Sequence, residues 1–150
     1  MPQFGPPRIV LNSFIGPAGP TGSVGPTLSS SIDAANYNIY NTKIVTFTSE
    51  FDNGASGNAK TIDWRVAQKQ KIDITGATAV LSFTPPYGVS NLLLRIVQDA
   101  TGGRFITWPA SVKWAGAVAP VLSTASGAMD IVTLYYNSSS YFGVASLNFA

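Results

Sequence analysis

The sequence predicts an all-β protein, an antiparallel β-sandwich of jelly-roll type that assembles as a trimer. Three observations predict it. Apolar and polar residues alternate over residues 59–150, with turn residues about every 8–12 positions. Glycine occupies every third position over residues 16–27, and only 11% of residues are charged. These patterns divide the chain into an N-terminal anchor (1–15), a collagen-like neck (16–27), a polar connector (28–58) and a β-sandwich head (59–150).

The N-terminal segment contains a short apolar, β-branched run that is typical of a strand. It lies outside the head, so it needs a partner to pair with. That partner is either the other copies in a trimer or a larger surface to which the protein is anchored. The residues that we expect to make this contact are Arg8, Ile9, Val10, Leu11, Phe14 and Ile15.

The neck consists of four Gly-x-y triplets in strict register, at Gly16, Gly19, Gly22 and Gly25. This is the collagen pattern, in which three chains wind together and only glycine fits at the axis. Four triplets are too few to hold a triple helix alone, so stable flanking domains would have to support it. The alternative is a Pro/Gly linker whose glycines happen to fall in register.

The connector is rich in asparagine and serine, with one strand candidate at residues 44–47 and a loop predicted over residues 52–58. In the head, the strand over residues 130–136 is apolar on both faces, as is the run at 92–97. Such strands are covered on both sides, by a second sheet or a neighbouring subunit. Little or no helix is expected. The predicted head strands are 61–64, 71–75, 79–84, 91–98, 104–108, 130–136 and 141–147.

Composition excludes several classes of function. The chain has no cysteine and no histidine, which removes disulfides, thiolate metal sites and the usual neutral-pH acid–base group. The net charge is only +2 with no basic stripe, so we expect no nucleic-acid partner. Neither a signal peptide nor an apolar run of transmembrane length is present. We therefore expect synthesis in a cytoplasm, no membrane partner and no cofactor.

Catalytic and metal sites are not indicated by the acidic residues. Asp63 and Asp73 lie on predicted strands and could face each other as a glycosidase pair, but they could equally be solvated or paired with Lys60 and Lys71. The acidic stretch 50–54 has oxygen ligands but lacks the spacing of a calcium loop, so it reads as a surface turn. We expect neither an enzyme nor a metal site.

Aromatic residues are the best candidates for surface contacts, because exposed Tyr and Trp stack on sugar rings and are enriched at interfaces. Tyr87 follows Pro85-Pro86 at a predicted loop tip. Asn137, in the Asn-Ser-Ser-Ser loop, and the nearby Tyr141 are the other candidates. Trp108 precedes a proline at a strand end, where we expect it in the core or at the trimer axis.

Several strings resemble a family. They include Asn-Ala-Lys-Thr-Ile-Asp-Trp at 58–64, Ile-Thr-Trp-Pro-Ala-Ser-Val-Lys-Trp at 106–114 and Tyr-Phe-Gly-Val-Ala at 141–145. In order and spacing, residues 55–150 resemble a β-rich C-terminal domain of fibre-like virion proteins of tailed bacteriophages. The resemblance implies a trimeric virion appendage without a catalytic motif, in which collagen-like repeats often precede the domain.

Two roles follow from this resemblance. The first is a capsid-attached short fibre or decoration trimer, bound through residues 1–15 to the major capsid protein or another virion protein, because the chain is short for a tail fibre. The alternative is a tail-fibre or spike tip that binds host surface glycans. An enzyme acting on polysaccharide is disfavoured by the missing histidine and the unpaired acids.

Overall fold

The protein was analysed as a computed structural model that describes residues 43–149, in which one compact unit begins at Thr46. This unit is all-β, as predicted, and its only helical turn among the described residues is a 3-10 turn at Ala115–Ala117. The predicted anchor and the predicted neck lie outside the described residues. The strands are β1 Phe51–Ala55, β2 Ala59–Asp63, β3 Lys69–Ile74, β4 Thr78–Thr84, β5 Ser90–Gln98, β6 Phe105–Thr107, β7 Val112–Trp114, β8 Met129–Tyr136 and β9 Tyr141–Phe149.

The strands form two sheets around a shared core. The larger sheet has the order β1-β3-β5-β8-β9-β7, and the smaller has the order β2-β4-β6. From β1 to β6 the chain alternates between the sheets, and strands of the same sheet lie parallel. The first half of the unit is therefore three stacked coils, β1–β2, β3–β4 and β5–β6, in the manner of a short solenoid.

The predicted antiparallel, jelly-roll-like topology is wrong for most of the domain. Five of the seven strand pairings are parallel, and only β5–β8 and β8–β9 are antiparallel. The reason is that each early turn carries the chain across to the opposite sheet instead of back along the same one. Alternation of side chains between faces is the same in either arrangement, so it could not distinguish them.

The core is made by the inward-facing half of each strand. In β3 and β5, Ile72 lies opposite Ile96 in the parallel register, and both are fully buried. Similar aliphatic side chains stack on successive coils and fill the interior. Burial of each one contributes about 1.5–3 kcal/mol to the stability of the fold. The other fully buried aliphatic side chains are Ile62, Ile74, Leu92, Leu94, Val132 and Leu134.

Two buried glutamine side chains hold loops against neighbouring strands through hydrogen bonds to backbone groups. The Gln70 Nε2 donates to the carbonyls of Asp63 and Ala67, at 2.8 and 2.9 Å, which holds the β2–β3 loop against β3. The Gln98 side chain exchanges two hydrogen bonds of 3.0 Å with the backbone of Arg104. Because each amide satisfies backbone groups in the turn, the cost of burying it is offset.

A buried carboxylate forms similar hydrogen bonds with backbone groups at the C-terminal end of the domain. Asp130 lies on the inward face of β8 and is almost fully buried. Its oxygens accept hydrogen bonds from the Ser123 N–H and hydroxyl, both at 2.7 Å, and from the Asn148 N–H at 2.8 Å. One side chain thus joins the loop before β8 to the end of β9.

Tight stacking of the coils requires glycine at one turn. Gly76 lies in the β3–β4 turn, directly against the β1–β2 turn. A Cβ at this position would overlap the Gly57 carbonyl and come within 2.8 Å of the Asn58 Oδ1. Neighbouring turns can therefore approach only because residue 76 has no side chain.

Each of the seven predicted head strands has a counterpart in the structure, but three local features differ from prediction. Residues 52–58 were expected to form a loop, whereas β1 covers Phe51–Ala55, with an irregularity at Gly54, whose φ is +65°. Residues 44–47 do not form a strand, and β7 was not predicted. The sheet therefore begins before residue 59, the predicted start of the head.

Candidate binding surface at the loop end

Four loops meet at one end of the domain, at residues 64–68, 85–89, 108–111 and 137–140. The strand register places them there. The first residue of β5 pairs with the last residue of β8, and β7 and β9 begin side by side. The start of β3 lies beside the start of β5. We call this surface the loop end.

Tyr87 is the most exposed large aromatic residue of the loop end, with 91% of its surface accessible. Two prolines precede it and fix the backbone leading to the tip. Val66 and Val89 are also more than half exposed. The predicted exposure of Tyr87 is confirmed, and the loop end presents an aromatic ring together with two aliphatic side chains.

An ion pair lies beside this apolar group. The Arg65 Nε and Nη2 donate to the two oxygens of Asp63, at 2.9 and 2.6 Å. This bidentate pairing, together with the Arg65 N–H, lowers the pKa of Asp63 to about 2. The hydrogen bonds to Asp63 raise the pKa of Arg65. The pair offers donors and acceptors while carrying no net charge.

Asn137 is exposed, but its side-chain oxygen shapes its own loop. The Oδ1 accepts hydrogen bonds from the Ser139 and Ser140 N–H groups, at 3.0 and 2.8 Å. This is an Asx turn, and it supports the positive φ of 75° at Ser138. Asn137 therefore contributes to the loop end mainly by fixing the loop that carries the serine hydroxyls.

Tyr141 was predicted as a surface contact, and this is wrong, since only 3% of it is exposed. Its ring packs on Tyr136 and Phe83, with centroid distances of 4.6 and 5.1 Å. The hydroxyl has no hydrogen-bond partner among the described residues. Burial raises the pKa of Tyr141 to about 12. The residue faces inward because it lies opposite Tyr136 on the inner face of the larger sheet.

Tryptophans support the loop end from beneath. Trp108 is partly buried and packs edge-on against Trp114 at a centroid distance of 5.0 Å. The Trp114 ring covers Gly143, where a Cβ would overlap the ring. Trp108 therefore packs against the core, which is one of the two positions that the sequence predicted, and the other position, at a trimer axis, stays a prediction.

The acidic candidates form ion pairs with basic side chains of the same chain. Asp73 pairs with Lys71 at 2.8 Å, as the sequence suggested, but Asp63 pairs with Arg65 and not with Lys60. In the stretch 50–54, Glu50 binds Arg95 and the Asp52 carboxylate accepts from the Gly54 N–H. Over residues 43–149 no three acidic side chains come together as a metal site, and no helix in that range is long and apolar enough to span a bilayer.

Residues 55–141 match the family described as "Putative phage tail fibre C-terminal domain". The chain belongs to this family. It is therefore a structural phage fibre protein and a virion component. No curated protein and no solved structure shows a significant match to the chain.

Sequence reasoning found Tyr87 and Asn137 but missed Arg65, Val66 and Val89. The loop at 64–68 contains no glycine, proline or asparagine, so no turn residue marked it. Its place at the loop end follows from the parallel pairing of β3 and β5, which joins residues far apart in the chain.

Proposed function

We propose that this chain is a non-catalytic terminal head of a phage tail fibre and that its loop end contacts glycans on the host surface. The main support is the set of exposed aromatic and aliphatic residues in the loops at one end of the domain, together with a neutral ion pair next to Val66 in the chain. The description of the family as a tail fibre domain supports the tail-fibre role.

The chemistry of the loop end suits a sugar ring. A tyrosine face stacks on the C–H face of a pyranose, and the two valines extend that apolar contact. The Arg65–Asp63 pair can donate to and accept from neighbouring hydroxyls, because guanidinium and carboxylate groups retain free donors and lone pairs in a bidentate pair. Because the Tyr87 side chain is almost fully exposed, a single head encloses little of a sugar and would bind weakly.

Assembly of three copies would compensate for weak single contacts. The Gly-x-y triplets at 16–27 support a trimer, because the collagen arrangement needs three chains. Three loop ends held on one particle raise the effective concentration of each site for the next receptor, which can strengthen binding 10²–10⁴-fold, as an order-of-magnitude estimate.

Binding to host cells tests the proposed contact. Labelled full-length protein is incubated with host cells, and Tyr87→Ala is compared with Phe105→Ala. Phe105 is also a well-exposed aromatic residue, but it begins β6 at the opposite end of the domain. We expect Tyr87→Ala to lose at least tenfold in affinity and Phe105→Ala to bind like the wild type. Equal binding by both variants would contradict the proposal.

Labelling of intact particles tests the location. Immunogold with an antibody against residues 60–150 should mark the tail. Gold spread over the capsid would instead support a capsid-attached fibre, held through residues 1–15 by the major capsid protein or another virion protein.

A further inference from the structure

A second unpartnered surface lies on the outer side of the larger sheet, on β8 and β9. Val144 is 66% exposed there, and Tyr135 and Phe142 are each about half exposed. Tyr135 and Phe142 are cross-strand partners whose rings lie 6.3 Å apart, and Val144 pairs with Thr133 in the next row. We call this the β8–β9 face. A contiguous apolar surface of this kind marks an interaction site.

The other half of the same sheet face, on β1, β3 and β5, has a different character. Lys71 bridges Asp73 and Asp52 at 2.8 and 3.3 Å, and Arg95 binds Glu50 at 2.6 Å. These charges are thus satisfied within the chain. The sheet therefore has a self-paired charged half and, next to it, two strands, β8 and β9, whose apolar outer side chains have no covering layer among the described residues. Beyond β9, the exposed Lys113 of β7 lies beside Phe142.

The chain itself indicates what covers the β8–β9 face. The collagen-like neck proposed at 16–27 needs three chains at its axis, and in the sequence residues 28–45 separate it from the compact unit. Three chains joined through one neck hold their three heads at a high effective concentration, which favours contact between them. If the heads pack together, an apolar face gains most from leaving water.

We propose that the β8–β9 face packs against the same region of two further copies of this chain around a threefold axis. This inference rests on the trimeric assembly proposed above, but not on glycan binding. Because the loop end lies at the strand ends and not on the sheet face, it remains free when the β8–β9 face is covered. Three Tyr87 side chains would then point from the same end of the assembly.

The absence of cysteine makes a direct test available. Val144→Cys places one thiol on the β8–β9 face, and Val80→Cys is the matched control. Val80 is also an exposed strand valine, 52% accessible, but it lies on the outer side of the smaller sheet. Full-length variants are sized by light scattering and reacted with a maleimide. We expect a mass of three chains, and labelling at least tenfold slower for Val144→Cys than for Val80→Cys.

Mild oxidation gives a second readout on the same proteins. We expect disulfide-linked dimers from Val144→Cys and none from Val80→Cys. Equal labelling rates in a trimer, or slower labelling of Val80→Cys, would show that the copies meet elsewhere and would overturn the proposal. A monomeric mass would overturn both the face and the assembly. Neither result depends on host binding, so failure here is distinct from failure of the glycan contact.

Discussion

Replacing Tyr141 with phenylalanine should stabilise this protein. The Tyr141 hydroxyl is buried and makes no hydrogen bond to any described residue, while the ring packs well against Tyr136 and Phe83. Phenylalanine retains the ring contacts and removes the hydroxyl. On folding, that hydroxyl loses its hydrogen bonds to water and gains none from the described residues. Most substitutions in a protein core are destabilising, so an increase in stability would be an uncommon and therefore informative result.

The size of the effect at neutral pH follows from the cost of an unsatisfied buried polar group, about 1–3 kcal/mol. Loss of the oxygen's packing contacts offsets part of the gain, at about 0.1–0.2 kcal/mol per atom pair. We expect a net increase of about 1–2 kcal/mol in the free energy of unfolding. For a domain of this size that corresponds to a rise of roughly 5–10 °C in Tm.

The difference in the free energy of unfolding between Tyr141→Phe and the wild type should become larger at alkaline pH. The pKa of Tyr141 is about 12 in the folded protein against an ordinary value of 10.0. Below pH 10 both folded and unfolded states keep the proton. Between pH 10 and 12 the unfolded chain releases it while the folded protein retains it, so the wild type loses stability as pH rises. Two pKa units correspond to about 3 kcal/mol, and the phenylalanine variant lacks this loss.

Urea unfolding followed by circular dichroism at pH 7 and pH 11 measures both effects. Tyr87→Phe is the control, because its hydroxyl is solvated, and its stability should change by less than about 0.5 kcal/mol. A Tyr141→Phe variant at least 1 kcal/mol less stable than the wild type would refute the reasoning, since it would mean that the hydroxyl is hydrogen-bonded. An unchanged alkaline loss in the variant would assign that loss to another group.

Two further predictions concern the stacked coils and the ion pair. Gly76→Ala should destabilise the domain by more than about 2 kcal/mol in urea unfolding, because the new Cβ would overlap the Gly57 backbone. Gly88 has open space around it, so Gly88→Ala should change stability by less than about 1 kcal/mol. Similar losses of stability at both sites would contradict close stacking of the turns. The folded pKa of Asp63 is about 2 against an ordinary 3.8, so its contribution is present above pH 4 and is lost as pH falls towards 2. The Tm difference between wild type and Asp63→Asn should therefore shrink over that range, and a constant difference would count against the pairing with Arg65.

Local sequence determined most of the strands and where the most exposed loop lies. Alternation over residues 130–136 predicted β8 because successive side chains of an extended chain point to opposite faces, whatever the neighbouring strand is. Pro85-Pro86-Tyr87-Gly88 predicted an exposed loop because proline restricts the backbone and removes a hydrogen-bond donor. Both results depend on the conformational preferences of a few adjacent residues.

Tertiary pairing decided the rest. Alternation in β9 divides Tyr141 and Gly143 from Phe142 and Val144, but only the pairing of Tyr141 with Tyr136 shows which set faces the core. Asn53 and Gly54 have turn chemistry, yet β1 forms because the Asn53 amide donates to Gln70 and to the backbone of β3. Parallel or antiparallel order is likewise a property of contacts between distant segments. Side-chain alternation is the same in parallel and antiparallel sheets. Most of the strands and the exposed loop at residues 85–88 therefore followed from the sequence, whereas the stacked coils, the loop end and the β8–β9 face required the three-dimensional structure.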